Sequence, residues 1–167
     1  MMEIHIRELA SRGDRLPIQA SLNADWLKQI RKDIVSVGAL NVNLEAYGLD
    51  GVAHVEGQLD LDVEMSCSRC LEAVKQSISI PFAEKFKHAK NEEEDEEVIA
   101  VEEDKFDLEP LIEETMMLSL PFAPLCKEDC KGLCTSCGAN LNEAACGCSQ
   151  EKIDPRLAAL KDVFKQS

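Results

Sequence analysis

Histidine is scarce in this chain of 167 residues: His5, His54 and His88 are dispersed, and none stands at a spacing from cysteine, serine or aspartate that builds a nucleophile with its base. Neither GxGxxG nor GxxxxGK occurs, so the glycine loops that cradle nucleotide phosphates are missing. No segment approaches the roughly 18 apolar residues of a membrane span. MMEIHIRELA also lacks a charged region followed by an apolar run. These absences argue against an enzyme, a small-molecule substrate and a membrane, and they predict a cytoplasmic protein.

Basic residues are also in the minority, 18 Lys and Arg against 32 Asp and Glu, for a net charge of −14. Such a balance opposes nucleic-acid binding, which needs cations on phosphates. The excess is local, however. Residues 91 to 104, NEEEDEEVIAVEED, hold nine acids and no base, whereas residues 1 to 90 carry 13 acids against 11 bases and residues 105 to 167 carry ten against seven. The acidic segment lacks the apolar surface needed to offset ordering entropy, and reads as a disordered, solvated loop.

Hydrophobic periodicity predicts an α+β fold, an antiparallel β-meander with two or three short helices and a small cysteine-rich, zinc-binding C-terminal module. Residues 2 to 10 suit a strand through Ile4 and Ile6, and Gly13 with Pro17 predicts a loop after it. Trp26, Leu27, Ile30, Ile34 and Val37 recur at helical spacing behind Asn23 or Asp25 as N-cap. From Leu40 the period is two, with Leu40, Val42, Leu44 and Ala46 on one face. The GLDG at 48 to 51 then turns the chain into a long strand with Ala53, Val55, Leu59, Leu61, Val63 and Met65 inward. Val74, Ile78, Ile80 and Phe82 resume the alternation after CSRC, which therefore sits at a hairpin tip. A helix follows from Asp107, with Leu108, Leu111, Ile112, Thr115, Met116 and Leu120 on one face, until Pro121 stops it. Met116 and its neighbour Met117 read as core filler. Asp154 and Pro155 open a last helix with Leu157, Leu160 and Phe164 on one stripe. The division is 1–90 for the β-rich part with its short helix, 91–104 for the loop, and 105–167 for the rest, packing together as one domain with the cysteine module at 126–148.

Cysteine is abundant. Eight are present, six of them within CKEDCKGLCTSCGANLNEAACGC. In a reducing compartment, thiols at such spacing serve metal better than disulfides. Four thiolates make a closed structural zinc shell, and eight make two. The spacing assigns Cys134, Cys137, Cys146 and Cys148 to one ion and Cys67, Cys70, Cys126 and Cys130 to a second, although Cys126 and Cys130 could stand apart and leave one ion in total. Gly138, directly after Cys137, fits a metal knuckle that turns sharply and aims N–H groups at sulfur. A redox dithiol at Cys67 and Cys70, beside Arg69, is the competing reading.

The residues CSRCL at 67 to 71, LSLPFAPLC at 118 to 126, CKGLCTSCGANLN at 130 to 142 and DPRLAALK at 154 to 161 together resemble the YceD family of large ribosomal RNA subunit accumulation proteins. The resemblance implies a bacterial, cytosolic, non-enzymatic protein needed for 23S rRNA to accumulate, encoded in many genomes beside a large-subunit ribosomal protein gene. The expected partner is a ribosomal protein or a pre-50S particle, because clustered acids steer a basic partner and repel phosphate. Direct rRNA contact through Lys28, Arg31 and Lys32, or through Lys85, Lys87 and Lys90, is the alternative. A generic acidic, zinc-stabilised interaction module stands beside both.

Overall fold

The computed structural model describes residues 1–89, 97–149, 154, 156 and 157. Its centre is a meander of three long strands, β4 (Leu40–Leu49), β5 (Val52–Ser66) and β6 (Ala73–His88), each antiparallel to the next. Period-two patterning produces them, since Leu40, Val42, Leu44 and Ala46 on β4 and Ala53, Val55, Leu59, Leu61, Val63 and Met65 on β5 are all buried. Asp50 and Gly51, at φ 52° and 78°, close the first hairpin with the two-residue turn that the strand twist favours.

Earlier segments complete this sheet in ways the periodicity misjudged. The strand expected over 2 to 10 is only β1 (Glu3–His5), followed by α1 (Ile6–Ser11), because Ile6 and Leu9 bury one helical face where continued alternation would expose Leu9's side. The loop expected around Gly13 and Pro17 is instead β2 (Leu16–Leu22), paired with β4 from Leu16↔Ala46 to Leu22↔Leu40. The helix expected through Val37 is a single turn, α2 (Leu27–Ile30). Beyond it, β3 (Ile34–Val37) pairs with the far end of β5. Its β-branched Ile34, Val35 and Val37 suit a strand, and an open stretch of β5 supplies the partner that local periodicity cannot foresee.

The acidic segment also contributes structure. Ile99–Val101 form β7, parallel to β6 from Phe86↔Ile99 to His88↔Val101, and Val101 is buried, so the apolar VIAV pulls part of the segment onto the sheet. Residues 90 to 96 lie outside the described residues. Strand β8 (Lys105–Asp107) pairs with β1, and α3 (Glu109–Ser119) packs Leu108, Ile112 and Met116 into the core beside Phe82 and Phe86. Asp107 Oδ1 accepts the N–H of Glu109 at 3.1 Å and that of Met2 at 2.9 Å, joining the helix start to the N-terminus. Most of the helix expected after Asp154 lies outside the described residues; Asp154 there accepts the N–H of Arg156 at 2.9 Å. The architecture is α+β: the described residues form a mainly antiparallel six-stranded sheet, a two-stranded sheet of β1 and β8, three short helices, and cysteine clusters of which most members lie towards the C-terminus. No helix of the described residues is long and apolar enough to cross a membrane.

Candidate metal centres

The β5–β6 hairpin carries CSRC in its tip, after Ser66 and before Ala73. Inside that tip the Leu71 N–H donates to the Cys67 carbonyl at 3.0 Å and the Cys67 N–H to the Glu72 carbonyl at 2.8 Å, which curls the segment so that both thiols face inward. After α3, Pro121 sends the chain across this tip, where the Ser68 N–H donates to the Pro124 carbonyl at 2.8 Å. Cys126 and Cys130 arrive there. All four Sγ atoms of Cys67, Cys70, Cys126 and Cys130 lie within 4.8 Å of one another. A second set, Cys134, Cys137, Cys146 and Cys148, satisfies the same limit. These are the two groups into which the spacing divides the eight cysteines, and Cys126 and Cys130 stand beside Cys67 and Cys70.

Distances test what such a cluster can hold. Cys67 Sγ is 3.8 Å from Cys130 Sγ, and Cys70 Sγ is 3.5 Å from Cys126 Sγ. A disulfide would need about 2.05 Å. Four thiolates at about 2.3 Å from a tetrahedral zinc stand about 3.8 Å apart, close to the observed separations. The donor set and its dimensions therefore suit a thiophilic metal ion, and either cluster can hold one.

Polar groups around the sulfurs favour the thiolate form. Burial resists ionisation of Cys67, yet the N–H groups of Cys70, Arg69 and Cys126 hold it down to about 6. The N–H groups of Cys137 and Ser136 likewise bring Cys134 to about 6. Neighbours move the other way: although the Glu72 N–H favours its thiolate, burial and the nearby sulfurs push Cys70 up to about 12. The sulfurs of Cys137, Cys146 and Cys134 do the same to Cys148, also to about 12. Packed thiols repel a second negative charge and share their protons, and a bound cation would replace those protons.

Two backbone positions and two asparagines build the frame. Gly138 at φ 75° donates its N–H to the Cys134 carbonyl at 2.8 Å, the sharp turn anticipated after Cys137. Gly132, at φ 74°, was not anticipated; a Cβ there would stand 3.0 Å from the Arg69 carbonyl oxygen. Asn142 Nδ2 donates to Cys130 Sγ at 3.3 Å and to Asn140 Oδ1 at 2.9 Å, while Asn140 Nδ2 donates to Glu72 Oε1 at 3.1 Å. A chain of side chains thus runs from Glu72 at the hairpin tip through Asn140 and Asn142 to Cys130. The alternate asparagines of GANLN were its visible trace in the sequence.

Arg69 does a different job from the one considered for it. Its Nη1 donates to the carbonyls of Glu128 at 3.2 Å and Cys130 at 3.0 Å, clamping the two crossing segments together. The lysine clusters are partly spent as well. Lys28 pairs with Asp25 at 2.7 Å, Arg31 with Asp33 at 2.5 Å and Lys85 with Glu97 at 3.3 Å; Lys90 lies outside the described residues.

Residues 55–164 match the family described as large ribosomal RNA subunit accumulation protein YceD. The chain belongs to the YceD family. All eight cysteines fall inside that match, which starts within β5 and omits β1 to β4. An uncharacterized protein of Mycobacterium bovis is 34% identical over 129 residues, 75% of this chain and 62% of its own length. The Bacillus subtilis protein YlbN is 33% identical over 104 residues, 61% of this chain and 60% of its own length. A chloroplastic YCED homolog 1 of Arabidopsis thaliana, named as a large ribosomal RNA subunit accumulation protein, is 32% identical over 62 residues, 37% of this chain and 19% of its own. The match thus spans about 62% of the mycobacterial relative. No solved structure matches the chain.

Proposed function

We propose that this chain is a non-catalytic, cytoplasmic factor that supports 23S rRNA accumulation and large-subunit assembly by binding a ribosomal protein or a pre-50S particle, with a structural zinc in each cysteine cluster. The observation that carries the reading is the pair of closed, all-cysteine clusters within the YceD-family region. A catalytic zinc keeps an open position and usually mixes histidine or carboxylate ligands, whereas four thiolates close the shell and hold the fold. Here the first cluster ties the hairpin tip to the segment after α3, a staple between parts of the chain 56 to 63 residues apart. The relatives' name supplies the process, and the charge of −14 selects a basic partner within it.

The deciding experiment is the ratio of mature 23S to 16S rRNA in depleted cells complemented with the wild type or with Cys134→Ser and Cys137→Ser together. A selective fall in 23S that only the wild type rescues is the expected result. An unchanged ratio on depletion would overturn the ribosomal reading. The second reading, a thiol redox protein at Cys67 and Cys70, draws on the N–H groups that lower the Cys67 thiol to about 6; it requires a thiol count that falls under mild oxidant, and a constant count excludes it.

A further inference from the structure

One edge of the main sheet has no neighbouring strand among the described residues. The strand order ends at β2, whose only sheet neighbour is β4, and among the described residues no backbone hydrogen bond reaches its outer side. Proteins ordinarily guard such an edge with charge, a bulge or a covering segment. β2 reads LPIQASL, without a charged residue, and its register with β4 runs unbroken. Its single guard is Pro17.

That proline fixes the direction of the backbone groups. Proline sits in a paired strand where its missing N–H faces away from the partner. Backbone direction alternates along an antiparallel strand, so Pro17, Gln19 and Ser21 aim their backbone groups outward while Ile18, Ala20 and Leu22 bond to β4. Ile18, Ala20 and Leu22 are only half-buried against the core, the state of a row that lacks its outer neighbour. Beside them opens a cavity of about 470 Å³ walled by Met1, Met2, Leu9, Ile18 and Leu108. An incoming strand would find both backbone partners and, for alternate side chains, a cavity whose apolar wall is rimmed by the carboxylates of Glu3 and Glu8.

Charge selects the occupant. Around β2 and its cavity stand Arg12, Arg15, Lys28 and the N-terminal amine against Glu3, Glu8, Asp14, Asp25, Glu45, Glu56 and Glu109, four cations against seven carboxylates. Arg15 is held by Glu45 at 2.7 Å and Glu56 at 3.6 Å, and Lys28 by Asp25 at 2.7 Å, which leaves the surroundings negative. A second copy, itself at −14, would be repelled. We infer that the outer edge of β2 receives an extended, lysine- or arginine-rich polypeptide segment by strand addition. The inference rests on the reading that the partner is a protein of the large subunit, and it names the surface that partner would use.

The test uses the full chain and a synthetic peptide of alternating valine and lysine, with alternating valine and glutamate as control. Amide exchange at Gln19 and Ser21 is rapid in the free chain and slows at least tenfold with the lysine peptide alone. Gln19→Pro or Ser21→Pro removes an outward donor and spares the backbone ladder with β4, losing besides only the side-chain bond to Asn43 at 3.2 Å or to Asn41 at 3.3 Å, and weakens peptide binding at least tenfold while the chain stays folded. Slow exchange at these amides in the free chain, dimerisation through β2, equal binding of both peptides, or unchanged binding by both variants would overturn the inference. Sedimentation with pre-50S particles separates it from the broader reading. A wild type that fails to co-sediment defeats the ribosomal reading, whereas co-sedimentation of wild type and both variants alike defeats only the edge.

Discussion

Replacing Gly132 by alanine should damage the cysteine module more than the same change at Gly138, although the two glycines share a backbone conformation. Their φ angles are 74° and 75°, so each alanine incurs the same left-handed penalty, about 1 to 2 kcal/mol. Surroundings separate them. Around Gly138 a new Cβ meets nothing within 4 Å, whereas at Gly132 it stands 3.0 Å from the Arg69 carbonyl oxygen and 3.4 Å from Arg69 Cβ. Arg69 cannot retreat freely, because its carbonyl accepts the Leu133 N–H at 3.1 Å and its guanidinium holds Glu128 and Cys130. Overpacking of this kind adds at least about 1 kcal/mol, which corresponds to roughly a fivefold further loss of metal affinity at the cluster concerned. Zinc competition with a chromophoric chelator, measured for each variant against the wild type, reads the difference, and thermal unfolding of the loaded protein provides a second reading. Gly138→Asn should recover most of the Gly138→Ala loss, since asparagine tolerates the left-handed region. Equal losses at the two glycines, or a greater one at Gly138, would refute the crowding against Arg69.

The two clusters should release metal at different rates. One cluster has Cys137 exposed, Cys146 and Cys148 half-buried and Cys134 alone buried, while the other has Cys67, Cys70 and Cys130 buried and Cys126 alone half-buried, so a chelator should remove one equivalent of zinc quickly and a second slowly. Cys137→Ser should eliminate the fast phase and Cys67→Ser the slow one; a single phase of two equivalents would contradict the assignment. Arg31→Ala should destabilise the junction between β3 and the loop after α3, because Arg31 bonds Asp33 at 3.0 and 2.5 Å and donates to the Pro121 carbonyl at 2.9 Å. Loss of these charge-assisted bonds costs roughly 1.5 to 3 kcal/mol, and each kcal/mol lowers the midpoint of a chain this size by about 2 to 4 °C. Calorimetry checks it, and an unshifted midpoint would show that the bonds contribute nothing net.

The amino-acid sequence by itself determined the central hairpins, α3 and the local pairs of cysteines. Each of these rests on information that lies within a short window: period two over Leu40 to Met65, the Asp50–Gly51 turn, helical spacing closed by Pro121, and cysteines two to four residues apart. The tertiary structure decided the rest, and the reason is the same in each case. Ile34 to Val37 are compatible with helical spacing until an unpaired stretch of β5 offers hydrogen bonds. Leu16 to Leu22 carry a proline that reads as a loop until β4 provides a partner that needs no N–H from that position. Ile99 to Val101 sit among acids and become a strand only because β6 extends far enough to pair with them. Arg69, Asn140 and Asn142 acquire their roles where the hairpin tip meets a segment about sixty residues further on, a meeting that no local pattern encodes. Short-range spacing pairs the thiols and gathers Cys134 to Cys148 into one group; long-range pairing brings Cys126 and Cys130 to Cys67 and Cys70.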